Sequence, residues 1–233
     1  MGFDFLGFYL WGLLGTYFYT KALGYVNYID LSVVVLIQKL QPLFAISLAS
    51  IVLREKVSKS FIFLASSAIL GGYLITFGNK PFLFLDNKSI IASLFALLAS
   101  FCWGSSTVLG KAALKQISFE LMTCIKFIVT ETVALLIIIS SENFSNIYSL
   151  SLENYKTIII IAFSSGSIAL SIYYYGLQNL AASHTTIYEL VWPLSTVLIV
   201  WLIQGKTLSL AQMIGAMILV SSITILKKEN SSE

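Results

Sequence analysis

The chain has 233 residues, 58% of them hydrophobic and only 11% charged, with a formal net charge of +3 and a mean hydropathy of +0.88. Soluble domains carry roughly a quarter of their residues as charges, so this chain cannot clothe a water-facing surface and reads as an integral membrane protein. So small a net charge says nothing about soluble partners, and no nucleic-acid partner is expected.

A bilayer core about 30 Å thick takes about 20 helical residues rising about 1.5 Å each. Eight segments have the required length and apolarity: 5–25, 31–53, 61–77, 89–110, 119–140, 155–177, 185–203 and 210–226. None alternates with period two, and the runs exceed the ~9–11 residues of a barrel strand. The expected fold class is therefore all-α, a polytopic helix bundle of about eight spans. At the start, MGFDFLGFYL places Asp4 where a cleavable leader would be basic, so no signal peptide is expected and 5–25 is taken as the first span. Cys102 and Cys124 both fall inside spans, which implies no disulfide framework.

The second and seventh spans repeat each other. LIQKLQPLFAISLASIVLREKVS (36–58) aligns without a gap on IYELVWPLSTVLIVWLIQGKTLS (187–209), an offset of 151 residues. Pro42 falls on Pro193, Gln38 on Glu189, Glu55 on Lys206 and Ser58 on Ser209. Duplicated helices interrupted near the bilayer midplane point to the substrate site of a secondary transporter. The two spans lie five crossings apart among eight, and an odd offset reverses direction, so the repeats are expected to be inverted. With the N-terminus inside, Arg54, Lys56, Lys59, Lys111, Lys115, Lys227 and Lys228 face the cytoplasm, and Lys21, Lys80, Lys88, Lys156 and Lys206 fall on the other side. The positive-inside rule favours that orientation, and an even number of spans returns the C-terminus to the cytoplasm.

These features resemble the drug/metabolite transporter superfamily, in its EamA-like branch. FALLASFCWGSSTVLGKAAL (95–114) looks like the opening helix of an EamA unit, and YFYTKALGY (17–25) and YYYGLQNL (173–180) look like third helices. LQP and VWP precede the fourth-helix proline, and LREKVS resembles the turn before the fifth helix. From Ala22 to Pro42 the first repeat is three residues longer than the second from Gly176 to Pro193, a surplus in GYVNYID that extends a link. The resemblance implies two units of five helices, ten in all. Here 89–228 makes a complete unit, and 1–80 supplies only the third, fourth and fifth helices of the other. The expected function is transport of small metabolites or drug-like solutes by alternating access across the cell membrane, with the cavity between the repeats. The competing reading is a truncated, non-transporting membrane protein or a helical assembly subunit. A homo-oligomer is compatible with either.

A charge near the bilayer centre has to face a wet cavity or a counter-charge. Lys39 and Glu189 lie just before the repeated prolines, so they either line a cavity together, with Glu189 able to take up a proton or contact a cationic group, or lock two helices as an ion pair; Lys39 could also snorkel. Gln38 and Gln41 at i, i+3, with Tyr188 and Trp192 at i, i+4, either supply polar and aromatic contacts to an amphiphilic solute or bond between helices. Pro42 and Pro193 each remove a backbone hydrogen bond and kink their helix, with or without exposing carbonyls to a cavity. Trp103, with Ser105, Ser106 and the SSGS of 164–167, reads as packing or as cavity lining. On the fifth span Lys126 and Glu131 lie five apart and share no face, and Glu131 is the deeper. His184, the one histidine, sits at a helix start. One histidine and two separated cysteines build no usual metal site, and no nucleophile elbow, P-loop or His-Glu helix motif occurs. Neither an enzyme nor a cofactor is expected.

Overall fold

The computed structural model describes residues 2–25, 31–77, 87–139, 151–204 and 209–230. The described parts of the eight expected spans are helical except for turns at 24–25, 39–40 and 189–190, and the described residues contain no strand. Expectations about GYVNYID beyond Tyr25, the links 78–86 and 140–150, Lys80, and the turn carrying Lys206 lie outside the described residues.

In chain order the helices are α1 (Gly2–Leu23), α2 (Leu31–Gln38), α3 (Gln41–Leu48), α4 (Lys59–Phe77), α5 (Asn87–Leu114), α6 (Phe119–Ile139), α7 (Leu152–Ile161), α8 (Ala169–Asn179), α9 (Ala182–Tyr188), α10 (Val191–Gln204) and α11 (Leu210–Asn230). A π-turn, Ala49–Leu53, continues α3, and another, Ala162–Ile168, joins α7 to α8. Among the described residues, four runs are long and apolar enough to cross a bilayer unaided: Lys59–Thr76, Lys88–Leu114, Phe119–Ile139 and Leu152–Asn179. The two repeated spans are instead broken, at residues 39–40 and at 189–190.

Both breaks follow from proline chemistry. A proline within a helix lacks its N–H, and its ring collides with the carbonyl four residues back. For Pro42 that carbonyl belongs to Gln38, the last residue of α2; for Pro193 it belongs to Glu189, just past the end of α9. Each proline then sits in the first turn of the next helix, where no intrahelical donor is required. The turns close alike, with Leu40 N–H bonded to the Ile37 carbonyl and Leu190 N–H to that of Ile187, each at 3.1 Å.

The chain divides into two compact modules. Module 1 comprises Met1–Tyr9 and Leu109–Leu180. In it α6 packs on α8, with Phe119 edge-on to Tyr175 at 5.3 Å between ring centroids. The Lys111 ammonium donates to the carbonyls of Leu177 and Gln178 at 2.9 and 2.8 Å, capping the end of α8 where a cation suits the helix dipole. Ser and Gly concentrate in the π-turn of this module, where the Ser167 hydroxyl bonds back to the Ala162 carbonyl at 3.2 Å.

Module 2 comprises Leu10–Val108 and Ala181–Glu233. Its longest seam joins α4 to α11, and Gly71 and Gly215 let the backbones meet. A Cβ on Gly71 would stand 2.8 Å from the Gly215 carbonyl oxygen, and one on Gly215 would stand 2.7 Å from that of Gly71. Close approach through small residues is how helices gain packing energy in lipid, where apolar burial supplies little drive. Leu64, Ala68, Ile75, Leu190 and Leu219 fill the core beside this seam. A second cluster gathers Ala22, Val34, Ile37, Ala92 and Ala96 from α1, α2 and α5.

Candidate functional site

The two breaks bring polar side chains of module 2 together. Helix α3 packs against α9, which sets the start of α3 beside the end of α9. Gly104 of α5 permits a further close approach, since a Cβ there would lie 3.0 Å from the Gln41 carbonyl oxygen and 3.1 Å from the Ala45 nitrogen. Gln41 is thereby wedged between elements and is only 7% exposed.

A chain of side-chain hydrogen bonds runs through it. Gln38 Nε2 donates to Gln41 Oε1 at 3.1 Å, and Gln41 Nε2 donates to Glu189 Oε2 at 2.8 Å. The second bond joins residues 148 positions apart and ties one break to the other. Bonds to an ionised acceptor are shorter and stronger than neutral ones. Beside this chain the Lys39 ammonium lies over the Trp192 ring, 4.4 Å from its centroid. The Glu189 carboxylate acts on Lys39 electrostatically, so both charges occur at the breaks, with an amide and an indole as their contacts. A partly open recess, with room for about one water molecule, is lined by Lys39, Gln41, Pro42, Thr186, Glu189 and Leu190.

Of the residues expected from sequence, the structure gathers Gln38, Lys39, Gln41, Glu189 and Trp192 into this cluster, with Pro42 in the recess wall. Pro193 is buried in the first turn of α10. Tyr188 is half-buried beside the His184 ring, 6.4 Å between centroids, and does not line the recess. The break falls between Tyr188 and Trp192, so one continuous helix face does not carry both. Trp103 packs on α1, with its ring 5.3 Å from that of Tyr19 and its indole over Gly15. Glu131 belongs to module 1, where it is exposed on α6.

Sequence reasoning missed Glu55 and Thr186. Arg54 ends the π-turn in the left-handed conformation at φ 56, and this reversal aims the next side chain at α9. Glu55 accepts from the Ala182 and Ser183 backbone N–H groups at 2.8 and 3.1 Å and from the Ser183 hydroxyl at 2.6 Å. A carboxylate there satisfies donors that every helix start leaves open, and it complements the dipole. The alignment of Glu55 on Lys206 marked the position as a charged turn without disclosing this contact. Thr186 offered no signal beyond its place one turn before Leu190.

The sequence profile of the EamA-like transporter family matches residues 90–227, more than half of the chain. This protein belongs to the EamA-like transporter family. A relative with that role is the riboflavin transporter ImpX of Fusobacterium nucleatum, 39% identical over 220 residues that make up 94% of this chain and 74% of that protein. A crystal structure of a protein only 14% identical matches with a TM-score of 0.73, over 94% of this chain and 74% of the other, which is a likeness of fold. As an EamA-like protein, the chain is a multi-pass helical membrane protein of a family that transports small solutes. The apolar side chains it exposes, such as Ile51, Phe63 and Ile203 at 74%, 71% and 78%, suit a lipid surround.

Proposed function

We propose that this EamA-like protein is a secondary carrier for a riboflavin-like solute, working by alternating access around the paired helix breaks. The observation that carries the reading is the Gln38–Gln41–Glu189 hydrogen-bond chain, which links the two interrupted helices through their polar side chains. In this reading 1–80 and 89–228 are inverted repeats, the cavity lies between them, the protein sits in the cell membrane, and both termini are cytoplasmic.

The chemistry of such a solute suits the groups present. A flavin offers a flat aromatic system, an imide edge with donors and acceptors, and a polyol chain. Gln41 and Glu189 can answer the polar edge, and Trp192, 55% exposed, can stack on the ring. Pockets for drug-sized ligands hold roughly 300–1,000 Å³, whereas the recess as it stands has room for about one water molecule. In this reading, space for the solute opens when the repeats rock apart.

Purified protein in vesicles tests the reading. Saturable riboflavin uptake that responds to an imposed proton gradient supports it. If Glu189 carries the coupled proton, Glu189→Gln retains riboflavin binding and loses the pH dependence of transport. Protein-independent uptake would overturn the assignment, as would cysteine labelling that puts the REKVSK and QGKTLS turns on one side of the membrane.

A further inference from the structure

Module 1 holds a group of hydrogen-bond donors with almost nothing to accept from them. Lys126 lies on α6 about 10 Å of helical rise from Phe119, at about 1.5 Å per residue, and so stands well inside the span. Phe8 of α1 and Tyr174 of α8 present their rings to its ammonium, each centroid 5.4 Å away. Among the described residues no carboxylate or carbonyl accepts from it. Tyr174 is 1% exposed, and its hydroxyl has no hydrogen-bond partner among the described residues. The Tyr9 hydroxyl reaches only the Met122 thioether, a weak acceptor, at 3.8 Å.

These groups form one cluster. Met122 stands one turn before Lys126 on α6, and Phe8 meets Tyr9 and Tyr174 edge-on at 4.8 and 5.9 Å between centroids. Gly110 helps to fix the cluster, because a Cβ there would come within 2.8 Å of the Phe8 ring. A buried polar group without a partner is costly, and an intramembrane charge without a counter-charge is more so. Two ring faces offset part of that cost for the ammonium and none of it for the Tyr174 hydroxyl.

We propose that Lys126, Tyr174 and Tyr9 form a binding station for an anionic oxygen group, a phosphate monoester or a carboxylate, separate from the polar chain at the helix breaks. Three donors with no strong acceptor complement an anion, and the same set repels a cation. Lys126 is half-buried, so the ammonium is the accessible side of the station. The anionic oxygens belong either to a solute or to a lipid headgroup.

Binding of inorganic phosphate and of riboflavin 5′-phosphate to purified protein tests this, with uncharged riboflavin as reference. Nanodiscs of phosphatidylcholine alone are compared with discs that also contain phosphatidylglycerol. Both phosphates bind the unaltered protein in neutral discs. Lys126→Gln weakens that binding at least tenfold, Lys126→Arg stays within threefold, and Tyr174→Phe weakens it three- to tenfold. The exposed Lys156→Gln leaves it unchanged. Loss of phosphate binding when phosphatidylglycerol is added assigns the station to a headgroup, and its persistence assigns the station to a solute. Absence of phosphate binding in neutral discs overturns the proposal, as does a Lys126→Gln protein that binds phosphate as the unaltered one does. Should Lys126→Gln fail to fold, Lys126→Arg and Tyr174→Phe decide the matter. The readout is binding, so the station stands or falls independently of transport.

Discussion

The two proline breaks share a backbone and differ in almost every side chain. Both interrupt their helix two to four residues before the proline, and both close with the same 3.1 Å turn bond. At the first break Gln38 and Gln41 are buried, at 8% and 7% exposure, and Lys39 between them is half-buried. The second carries an acid and an exposed indole, Glu189 and Trp192. The two breaks thus share the feature that frees backbone groups from the helix and differ in their chemistry. The first break supplies two amides and an ammonium, and the second supplies a carboxylate and a stacking surface.

The largest effect is expected where that difference is greatest. Replacing Glu189 with alanine removes the acceptor of the Gln41 bond and leaves both a buried amide and Lys39 uncompensated. Losing one partner of a buried charged hydrogen bond costs about 2–5 kcal/mol in recognition. Riboflavin uptake by Glu189→Ala should therefore fall more than tenfold in kcat/KM. Uptake within twofold of the unaltered protein would mean that the acid at the second break is ornamental and that the two breaks are equivalent.

Next in size are the glycines that hold the seam beside the breaks. Gly71→Val and Gly215→Val would each drive a side chain into the opposing backbone, where even a Cβ finds atoms at 2.8 and 2.7 Å. Overpacking of this kind costs about 1–3 kcal/mol. Thermal unfolding in detergent should show a lowered midpoint for both variants to a similar degree. A marked loss for one alone would show that the α4–α11 seam is less reciprocal than its geometry.

Much of this architecture was legible in the residues. The eight helical regions followed from apolar length, and the place of each break followed from one proline and the carbonyl four positions earlier. Gln38, Lys39, Gln41 and Glu189 stood out because polar groups inside an apolar run require partners. The identity of those partners was not legible. That Lys39 lies over Trp192, and that Gln41 joins Glu189, depends on how α3 packs on α9, which the alignment of 36–58 on 187–209 does not encode. The i, i+4 relation of Tyr188 to Trp192 presumes an unbroken helix, and the break at 189–190 removes it. Glu55 escaped notice because its role is created by the left-handed Arg54 and a helix start more than a hundred residues away.

Glu55 extends the comparison beyond the breaks, since it fastens the end of the first repeated span to the start of the second. Glu55→Ala strips three hydrogen bonds from the α9 N-terminus, two of them to backbone donors. Loss of a helix N-cap costs about 0.5–2 kcal/mol, and a lowered unfolding midpoint should report it, with Glu55→Gln falling between. An undiminished midpoint for Glu55→Ala would mean that water or a neighbour serves α9 equally well, leaving the Gln41–Glu189 bond to join the spans.

The smallest effect separates the two amides of the first break. Gln38 meets Glu189 only through Gln41, so Gln38→Leu removes a donor from Gln41 Oε1 and leaves the Gln41–Glu189 bond in place. A side-chain hydrogen bond within a membrane bundle contributes about 0.6 kcal/mol on average. The carbonyl of Gln41 would then turn less tightly toward its productive orientation, and KM for riboflavin should rise two- to threefold with kcat unchanged. Gln41→Leu breaks both bonds and should raise KM further while lowering kcat. Equal effects from the two variants would show that Gln38 touches the solute itself, and the chain would then be a row of independent contacts instead of a relay ending on the carboxylate.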